Sequence, residues 1–239
     1  MAFYICKVIK TWQNPYDSGW SLTKPKEILI KPGLTVLVGC NGAGKTTLLN
    51  NIKEQLNCEK VPCYVYDNLH DGGTHSIANA ISYEDVNFAL RMMTSSEGEV
   101  IQGNFGRMLG YVREFLKTGK INKKENRILD DFQSSIDFKQ SKNNESELTN
   151  ERWLLLDAID SGLSVDAVVN VVDVLNFILK DAKKIGVNLF IVITANEYEL
   201  CRGNKCFDVN SGEYIDFKDY EDYRKFILKS REKKDKRYE

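Results

Sequence analysis

The sequence lacks an excess of either charge, a long apolar run and any CxxC pair. Its 33 Lys and Arg residues nearly balance 34 Asp and Glu residues, so no global positive field draws the chain to nucleic acid or to an acidic membrane. No apolar run approaches the roughly 20 residues that cross a bilayer, and the opening residues MAFYICKVIK lack the features of a signal peptide. We therefore expect a cytoplasmic protein with no transmembrane segment.

Cysteine and histidine usage argues against disulfides and zinc. Six cysteines occur without a CxxC spacing, and two histidines are few for an ordinary zinc site. A chain of 239 residues with 42% apolar residues can bury a sizeable core without covalent crosslinks. We expect reduced thiols and a single domain over 1–239.

Strand-like and helix-like segments alternate along most of the chain. EILIKPGLTVLVG predicts two strands around a turn, and a glycine-rich loop and the helical segment TTLLNNIKEQL follow it. Further strands are predicted at VPCYVY, RWLLLD and VNLFIVIT, and further helices at 82–93, from Val100, after Ser164 and at about 219–230. This alternation predicts an α/β fold with a mostly parallel sheet flanked by helices.

A polar segment at 118–150 interrupts the alternation. It is rich in Lys, Asn, Ser and Glu and has few apolar residues. This composition predicts an exposed insertion, partly helical around 125–138 and mobile near 139–149. The segment is too short and irregular for a long coiled coil, so we expect a compact domain that carries one insertion.

The strongest motif is GCNGAGKT, which fits GxxxxGK[ST] between a predicted strand and a predicted helix. Glycines let successive backbone N–H groups turn toward phosphate oxygens, Lys45 adds positive charge at the β and γ oxygens, and the Thr46 hydroxyl binds Mg²⁺. ATP and Mg²⁺ are therefore the expected ligands. The predicted nucleotide-binding residues are Gly39, Cys40, Asn41, Gly42, Ala43, Gly44, Lys45, Thr46 and Thr47.

A second motif, WLLLDAIDSGLS, is an apolar strand that ends in an acid. In nucleotide-hydrolysing folds an acid at the end of a neighbouring strand is the second anchor of the metal, so Asp157 is expected to hold Mg²⁺ through a water. The alternative is an acid that only caps the next turn. Ala158 follows Asp157, at a position where a proton acceptor is expected.

Together these two motifs resemble the ABC ATPase superfamily. GCNGAGKTTLL is similar to its phosphate loop. LLLDAIDSGLSVD is similar to its LLLDEPTSGLD and to the LLDEIDSGLS-type version of the soluble chromosome-maintenance and recombination-repair branch. The resemblance leaves the insertion at 118–150 unmatched. It implies a P-loop NTPase fold, with an antiparallel N-terminal β portion in an ABC ATPase-like head, and a head-to-tail dimer that sandwiches ATP.

The resemblance also assigns a signature motif, a serine and a glycine at a helix N-terminus that face the partner's nucleotide. The best match is SEGE, with Ser96 and Gly98 directly before the helix that is predicted from Val100. A hydroxyl, backbone N–H groups and a helix N-terminus together attract a γ-phosphate. The same letters form an S-x-x-E capping box, which accounts for them by helix capping alone, and both interpretations stay open.

Three further family positions have weaker matches. Asn196 stands where the family carries a histidine that contacts the γ-phosphate, and asparagine can donate a hydrogen bond there but cannot become charged. The candidates for the family's metal-linked glutamine are Asn68 and His70. The candidates for its adenine-stacking aromatic are Trp12, Tyr16 and Trp20.

The resemblance makes Ala158 the catalytic position that departs from the family. The family carries glutamate there, which polarises the attacking water, and general-base assistance contributes about 10² to 10⁴ in rate. The chain as written is expected to bind MgATP and to hydrolyse it slowly. Three explanations stay open: a natural switch with little hydrolysis, a base supplied by Asp160 instead, or a deliberate Glu-to-Ala change in an otherwise active ATPase.

Three functions follow from these features. The first is an ABC-type ATPase of the soluble branch that forms an ATP-dependent homodimer and acts on an unidentified protein partner or on nucleic acid, in repair or defence. The second is a nonhydrolytic regulatory subunit. The third, the nucleotide-binding subunit of a transporter, is disfavoured by the departure from LSGGQ. The balanced charge argues against strong unaided DNA binding.

Overall fold

The computed structural model describes residues 6–11, 27–68, 97–120 and 150–236. In this part of the chain, the strands are β1 (Lys7–Lys10), β2 (Glu27–Ile30), β3 (Gly33–Val38), β4 (Cys63–Asp67), β5 (Glu151–Asp157), β6 (Asn188–Thr194), β7 (Lys205–Asp208) and β8 (Glu213–Ile215). The helices are α1 (Lys45–Cys58), α2 (Glu97–Thr118), α3 (Val165–Lys184), α4 (Tyr198–Cys201) and α5 (Tyr220–Asp235).

Strands β3 to β8 form one six-stranded sheet in the order β4-β5-β6-β3-β7-β8. Neighbouring strands are parallel except for β7 and β8, which are antiparallel. Strands β1 and β2 form a separate antiparallel pair. The predicted α/β fold, with a mostly parallel sheet and an antiparallel N-terminal portion, is confirmed. Because the carboxyl ends of parallel strands meet at one edge of a sheet, the loops that follow β3, β5 and β6 lie together.

Both faces of the sheet are covered, so its central strands are apolar along their whole length. Beyond their first residues, β5 and β6 are entirely buried. Successive side chains of a strand point to opposite faces. Accordingly, Leu154 and Leu156 pack in the cluster that contains the buried residues of α2 and α3. Trp153 and Leu155 pack in the cluster that contains those of α1, where Trp153 stacks on Phe190 with ring centroids 4.4 Å apart.

Two helices differ in length from the sequence predictions. Helix α2 begins at Glu97, whereas the predicted start was Val100. Helix α5 extends to Asp235, beyond the predicted end near 230. Basic residues in a last turn favour helix by complementing its dipole, as Lys233 and Lys234 do in α5.

Some predictions fall on residues that the structure does not describe. The helix predicted at 82–93 and nearly all of the insertion predicted at 118–150 lie outside the described residues. Strands β7 and β8 were not predicted, because their short segments KCFD and EYI carry little periodic pattern. The six cysteines are all free thiols, as expected. Among the helices of the described residues, none combines the length and the apolar composition of a membrane span.

Candidate nucleotide-binding site

The loop GCNGAGKT connects β3 to α1 and is shaped by glycines at positions that other residues cannot occupy. Gly39 has φ 154°, and a Cβ atom there would lie 2.9 Å from the Ala43 Cβ and 3.0 Å from a methyl of Val209. Gly44 caps α1 with a left-handed φ of 104°. The Ala43 N–H donates to the Cys40 carbonyl at 3.0 Å. The backbone therefore closes into a tight loop at a helix N-terminus, which is an anion-binding arrangement.

Side chains of the loop divide between anchors and exposed groups. Cys40 and Ala43 are buried and pack in the core beside α1. Asn41, Thr46 and Thr47 are exposed. The Cys40 thiol thus serves as a small core side chain, and the Thr46 hydroxyl stands accessible in the first turn of α1, where a phosphate-bound metal would need it.

Lys45 carries a buried positive charge inside the loop. Its Nζ donates to the Gly39 carbonyl at 2.8 Å and to the Cys40 carbonyl at 3.4 Å. Burial lowers the pKa of Lys45, and the negative charge of Asp160 is the largest opposing influence on this pKa. A partly desolvated ammonium held by two neutral carbonyls is a strong site for an anion, because a phosphate replaces weak partners with a charged one.

Asp157 lies at the end of β5 and is buried, with 7% of its surface exposed. Its Oδ1 accepts a hydrogen bond from the Thr194 hydroxyl at 2.6 Å. The same Thr194 oxygen accepts the Ala158 N–H at 2.8 Å. The hydroxyl of Thr194 therefore orients the carboxylate and fixes the peptide after it. Sequence reasoning missed Thr194, because a local pattern does not show that the end of β6 lies beside the end of β5.

Ala158 adopts a left-handed conformation, with φ 50°, which is uncommon for a residue other than glycine. Its carbonyl accepts hydrogen bonds from the Asn68 amide at 3.1 Å and from the Ser161 N–H at 3.0 Å. Asn68 also donates to the Ser161 carbonyl at 3.0 Å. Asn68 is one of the candidates for the family's metal-linked glutamine. Its side-chain amide holds this turn by donating to both carbonyls. The methyl group of Ala158 offers no proton acceptor.

Asp160 supports the turn that follows β6. Its Oδ2 accepts the N–H groups of Asn196 at 2.6 Å and Glu197 at 2.7 Å, and burial raises its pKa. Its Oδ1 is buried without a hydrogen-bond partner among the described residues. One carboxylate oxygen of Asp160 is therefore committed to positioning the backbone at Asn196, whose side chain is exposed. A role of Asp160 as the general base stays a prediction.

Several predicted site residues lie elsewhere or outside the described residues. Gly98 is inside the first turn of α2, which begins at Glu97, so SEGE does not stand wholly before the helix as predicted. The candidates that lie outside the described residues are Ser96, His70, Trp12, Tyr16 and Trp20.

The residues present fit a magnesium ion bound together with phosphate. Mg²⁺ prefers oxygen ligands and takes only one or two from the protein, the others coming from phosphates and waters. The exposed hydroxyl of Thr46 and the buried carboxylate of Asp157 are such donors. Within the described residues no cluster of three His, Cys, Asp or Glu side chains forms a cage for a metal by itself. Bound Mg²⁺ would neutralise charge on the phosphates.

The fold and this loop define a P-loop nucleotide-binding protein. The AAA domain family matches residues 30–200, which is more than half of the chain and includes both the loop and Asp157. The chain belongs to this family.

Comparisons with individual proteins add little to this assignment. No curated protein matches the chain. Among solved structures, it is similar to cbiO1 from Clostridium perfringens, described as part of the ABC transporter complex cbiONQ, at 17% sequence identity and a TM-score of 0.43, over 89% of this chain and 87% of that one. The family assignment rests on the AAA domain match.

Proposed function

We propose that this protein is an ABC-type ATPase head of the soluble chromosome-maintenance and recombination-repair type, which binds MgATP at residues 39–47. The observation that carries the proposal is the meeting of three features at one sheet edge. These are the closed phosphate loop with buried Lys45, the accessible Thr46 hydroxyl and the Asp157 carboxylate oriented by Thr194. In this assignment the loop amides and Lys45 bind the phosphates, while Thr46 and Asp157 hold the metal.

Hydrolysis by the chain as written is proposed to be slow. The residue after Asp157 has no carboxylate to polarise water, and the side chains around it are committed to holding the turn. Phosphate and metal binding use other groups, which are all present. A protein with this site retains its nucleotide far longer than an active ATPase does, since the chemical step lacks the general base.

We infer that binding of ATP brings two chains together as a dimer. The chain has one phosphate loop and one acidic strand end, so two composite sites need two chains. Ser96 and Gly98 are the proposed contacts to the partner's nucleotide. The dimer would act in the cytoplasm on an unidentified protein partner, with nucleic acid as a further candidate.

Calorimetry and mass measurement test the proposal together. We expect saturable MgATP binding at one site per chain and a doubled mass in MgATP that is absent in MgADP. The Lys45→Met variant, which loses the charge in the loop, is the matched control for binding. A chain that binds no MgATP refutes the proposal, and a chain that binds MgATP but keeps a constant mass refutes the dimer.

A nonhydrolytic ATP-dependent regulatory subunit is the second candidate, and Ala158 is the observation that favours it. Steady-state turnover distinguishes the two functions. A regulatory subunit shows no ATP turnover above background even with its partner present, whereas a slow ATPase head releases phosphate at a low rate that depends on Mg²⁺.

A further inference from the structure

One face of helix α5 lies against the loops of the nucleotide site. Tyr223, Ser230 and Lys234 stand at positions i, i+7 and i+11, a spacing that places them on the same side of a helix. Each makes a hydrogen bond to a loop at the carboxyl edge of the sheet. Helix α5 lies beyond residues 30–200, so the AAA domain match assigns no role to it.

Ser230 holds the start of the phosphate loop. Its hydroxyl oxygen accepts the Cys40 N–H at 2.9 Å and the Asn210 side-chain amide at 2.7 Å. Ser230 and Asn210 are both buried, with 3% and 8% of their surfaces exposed. The carbonyls on either side of the Cys40 N–H, those of Gly39 and Cys40, accept hydrogen bonds from Lys45. The same stretch of backbone is therefore held by Lys45 and by Ser230.

Lys234 holds the next part of the loop. Its Nζ donates to the Asn41 carbonyl at 3.2 Å, and the same atom lies 3.6 Å from where a Cβ on Gly42 would stand. The side chain of Lys234 is 25% exposed, in contrast with the exposed Lys233 beside it. Lys234 thus places a second positive charge against the loop, supplied by an element far along the chain.

The first turns of α5 are anchored to the loop after β6. The Tyr223 hydroxyl donates to the Asn196 carbonyl at 2.7 Å. The ring of Tyr223 packs 5.8 Å from that of Tyr198 and 5.2 Å from that of Phe217, measured between centroids. Helix α5 therefore bridges the loops that follow β3 and β6, and a shift of the helix has to move or release both.

We propose that α5 is the positioning element of the phosphate loop, with Ser230 and Lys234 holding the loop in the conformation that receives phosphates. Nucleotide affinity then depends on the docking of this helix, and by linkage bound nucleotide stabilises the docked helix to the same extent. This inference rests on the proposed function for the identity of the ligand, MgATP.

Amide hydrogen exchange of the nucleotide-free protein tests the positioning itself. Because the Ser230→Ala change removes the acceptor of the Cys40 N–H, we expect exchange at the phosphate-loop amides to be about tenfold faster or more. Ser230→Thr keeps a hydroxyl and should restore protection. Unchanged protection of the loop in Ser230→Ala overturns the proposal.

Calorimetric MgATP binding, measured well below each variant's unfolding temperature, tests the consequence for affinity. We expect Lys234→Gln to raise the Kd about tenfold, since it removes a charged contact to the loop. Lys233→Gln changes the net charge equally from an exposed position and should leave the Kd as it is. Equal Kd values for the two variants overturn the role of Lys234.

The two measurements keep the inference and the proposed function separable. If the wild-type chain does not bind MgATP, the proposed function fails, and the exchange of the nucleotide-free loop still decides whether α5 positions it. If the wild-type chain binds MgATP, its α5 amides should exchange more slowly in the complex. Exchange of α5 that is unaffected by bound MgATP contradicts the coupling.

Discussion

The phosphate loop and the turn after β5 lie at the same edge of the sheet, but only the loop has all the residues that its motif requires. The loop has every residue of its motif and is held by several contacts, including those of Lys45, Ala43 and Ser230. The turn after β5 keeps Asp157, yet its next residue is Ala158, in a left-handed conformation and without a proton acceptor.

This difference separates binding from turnover. Phosphate and metal binding depend on backbone N–H groups, one ammonium and two oxygen ligands, which are distributed over the loop, the first turn of α1 and the end of β5. General-base chemistry depends on a single side chain at one position. A substitution at Ala158 is therefore expected to change the rate while affinity persists, whereas a substitution of Lys45 in the loop is expected to weaken nucleotide binding.

The largest expected effect comes from returning a carboxylate to the turn. Ala158→Glu should raise kcat for ATP hydrolysis by about 10² to 10⁴, because it supplies a general base beside Asp157. Ala158→Gln has nearly the same size and shape without a base, so it should stay at the wild-type rate. Steady-state phosphate release measures both. A glutamate variant that is no faster than the glutamine variant would falsify the assignment of this position.

A change in the loop should act on affinity. Lys45→Met removes the ammonium and keeps an unbranched side chain, so the Kd for MgATP should rise about 10- to 100-fold. The variant should stay folded, because a buried charge that is costly to desolvate is lost. Lys53→Met on the same helix is the control. Calorimetry that finds equal affinity in Lys45→Met and the wild type contradicts phosphate binding by this loop.

The turn after β5 also has a structural weak point, the hydroxyl of Thr194. Thr194→Val leaves the half-buried Ala158 N–H without its acceptor and Asp157 without this donor. The free energy of unfolding should fall by about 1 to 3 kcal/mol, whereas Thr194→Ser, which keeps the hydroxyl, should lose less. Thermal unfolding followed by circular dichroism measures the difference. Equal losses in the two variants mean that shape, rather than the hydrogen bonds, matters here.

The smallest expected effect concerns pH. Burial raises the pKa of Asp160, so the folded chain binds its proton more tightly than the unfolded chain does. Wild-type stability should therefore fall as pH rises from the ordinary aspartate pKa through the raised value. The side chain of Asp160→Asn cannot titrate, and its amide oxygen can still accept the N–H groups of Asn196 and Glu197. The difference in free energy of unfolding between this variant and the wild type should therefore shift in favour of the variant as the pH rises through this range. Urea unfolding at several pH values checks this, and parallel curves contradict it.

The fold was predictable wherever the pattern was local and repeated. The strand before the loop, α1, β5, β6 and α3 follow from apolar runs, helical periodicity and capping residues. The start of α2 and the end of α5 were misplaced by a few residues, since helix ends depend on charge and contacts as well as periodicity. Strand β7 pairs with β3 and strand β8 pairs with β7, and segments of three or four residues are too short to carry a periodic pattern that predicts this.

The residues of the site also fall into those that a local sequence pattern predicts and those that only the structure brings together. By itself, the sequence determined the phosphate loop and the acid at a strand end, because contiguous residues build each of them. Only the tertiary structure decided that Thr194 orients Asp157, 37 residues away, and that Ser230 holds the Cys40 amide, 190 residues away. The physical reason is the strand order. It places β6 between β3 and β5. Helix α5 contacts the loops that follow β3 and β6 through Ser230 and Tyr223, and a local pattern carries no information about which distant segments meet.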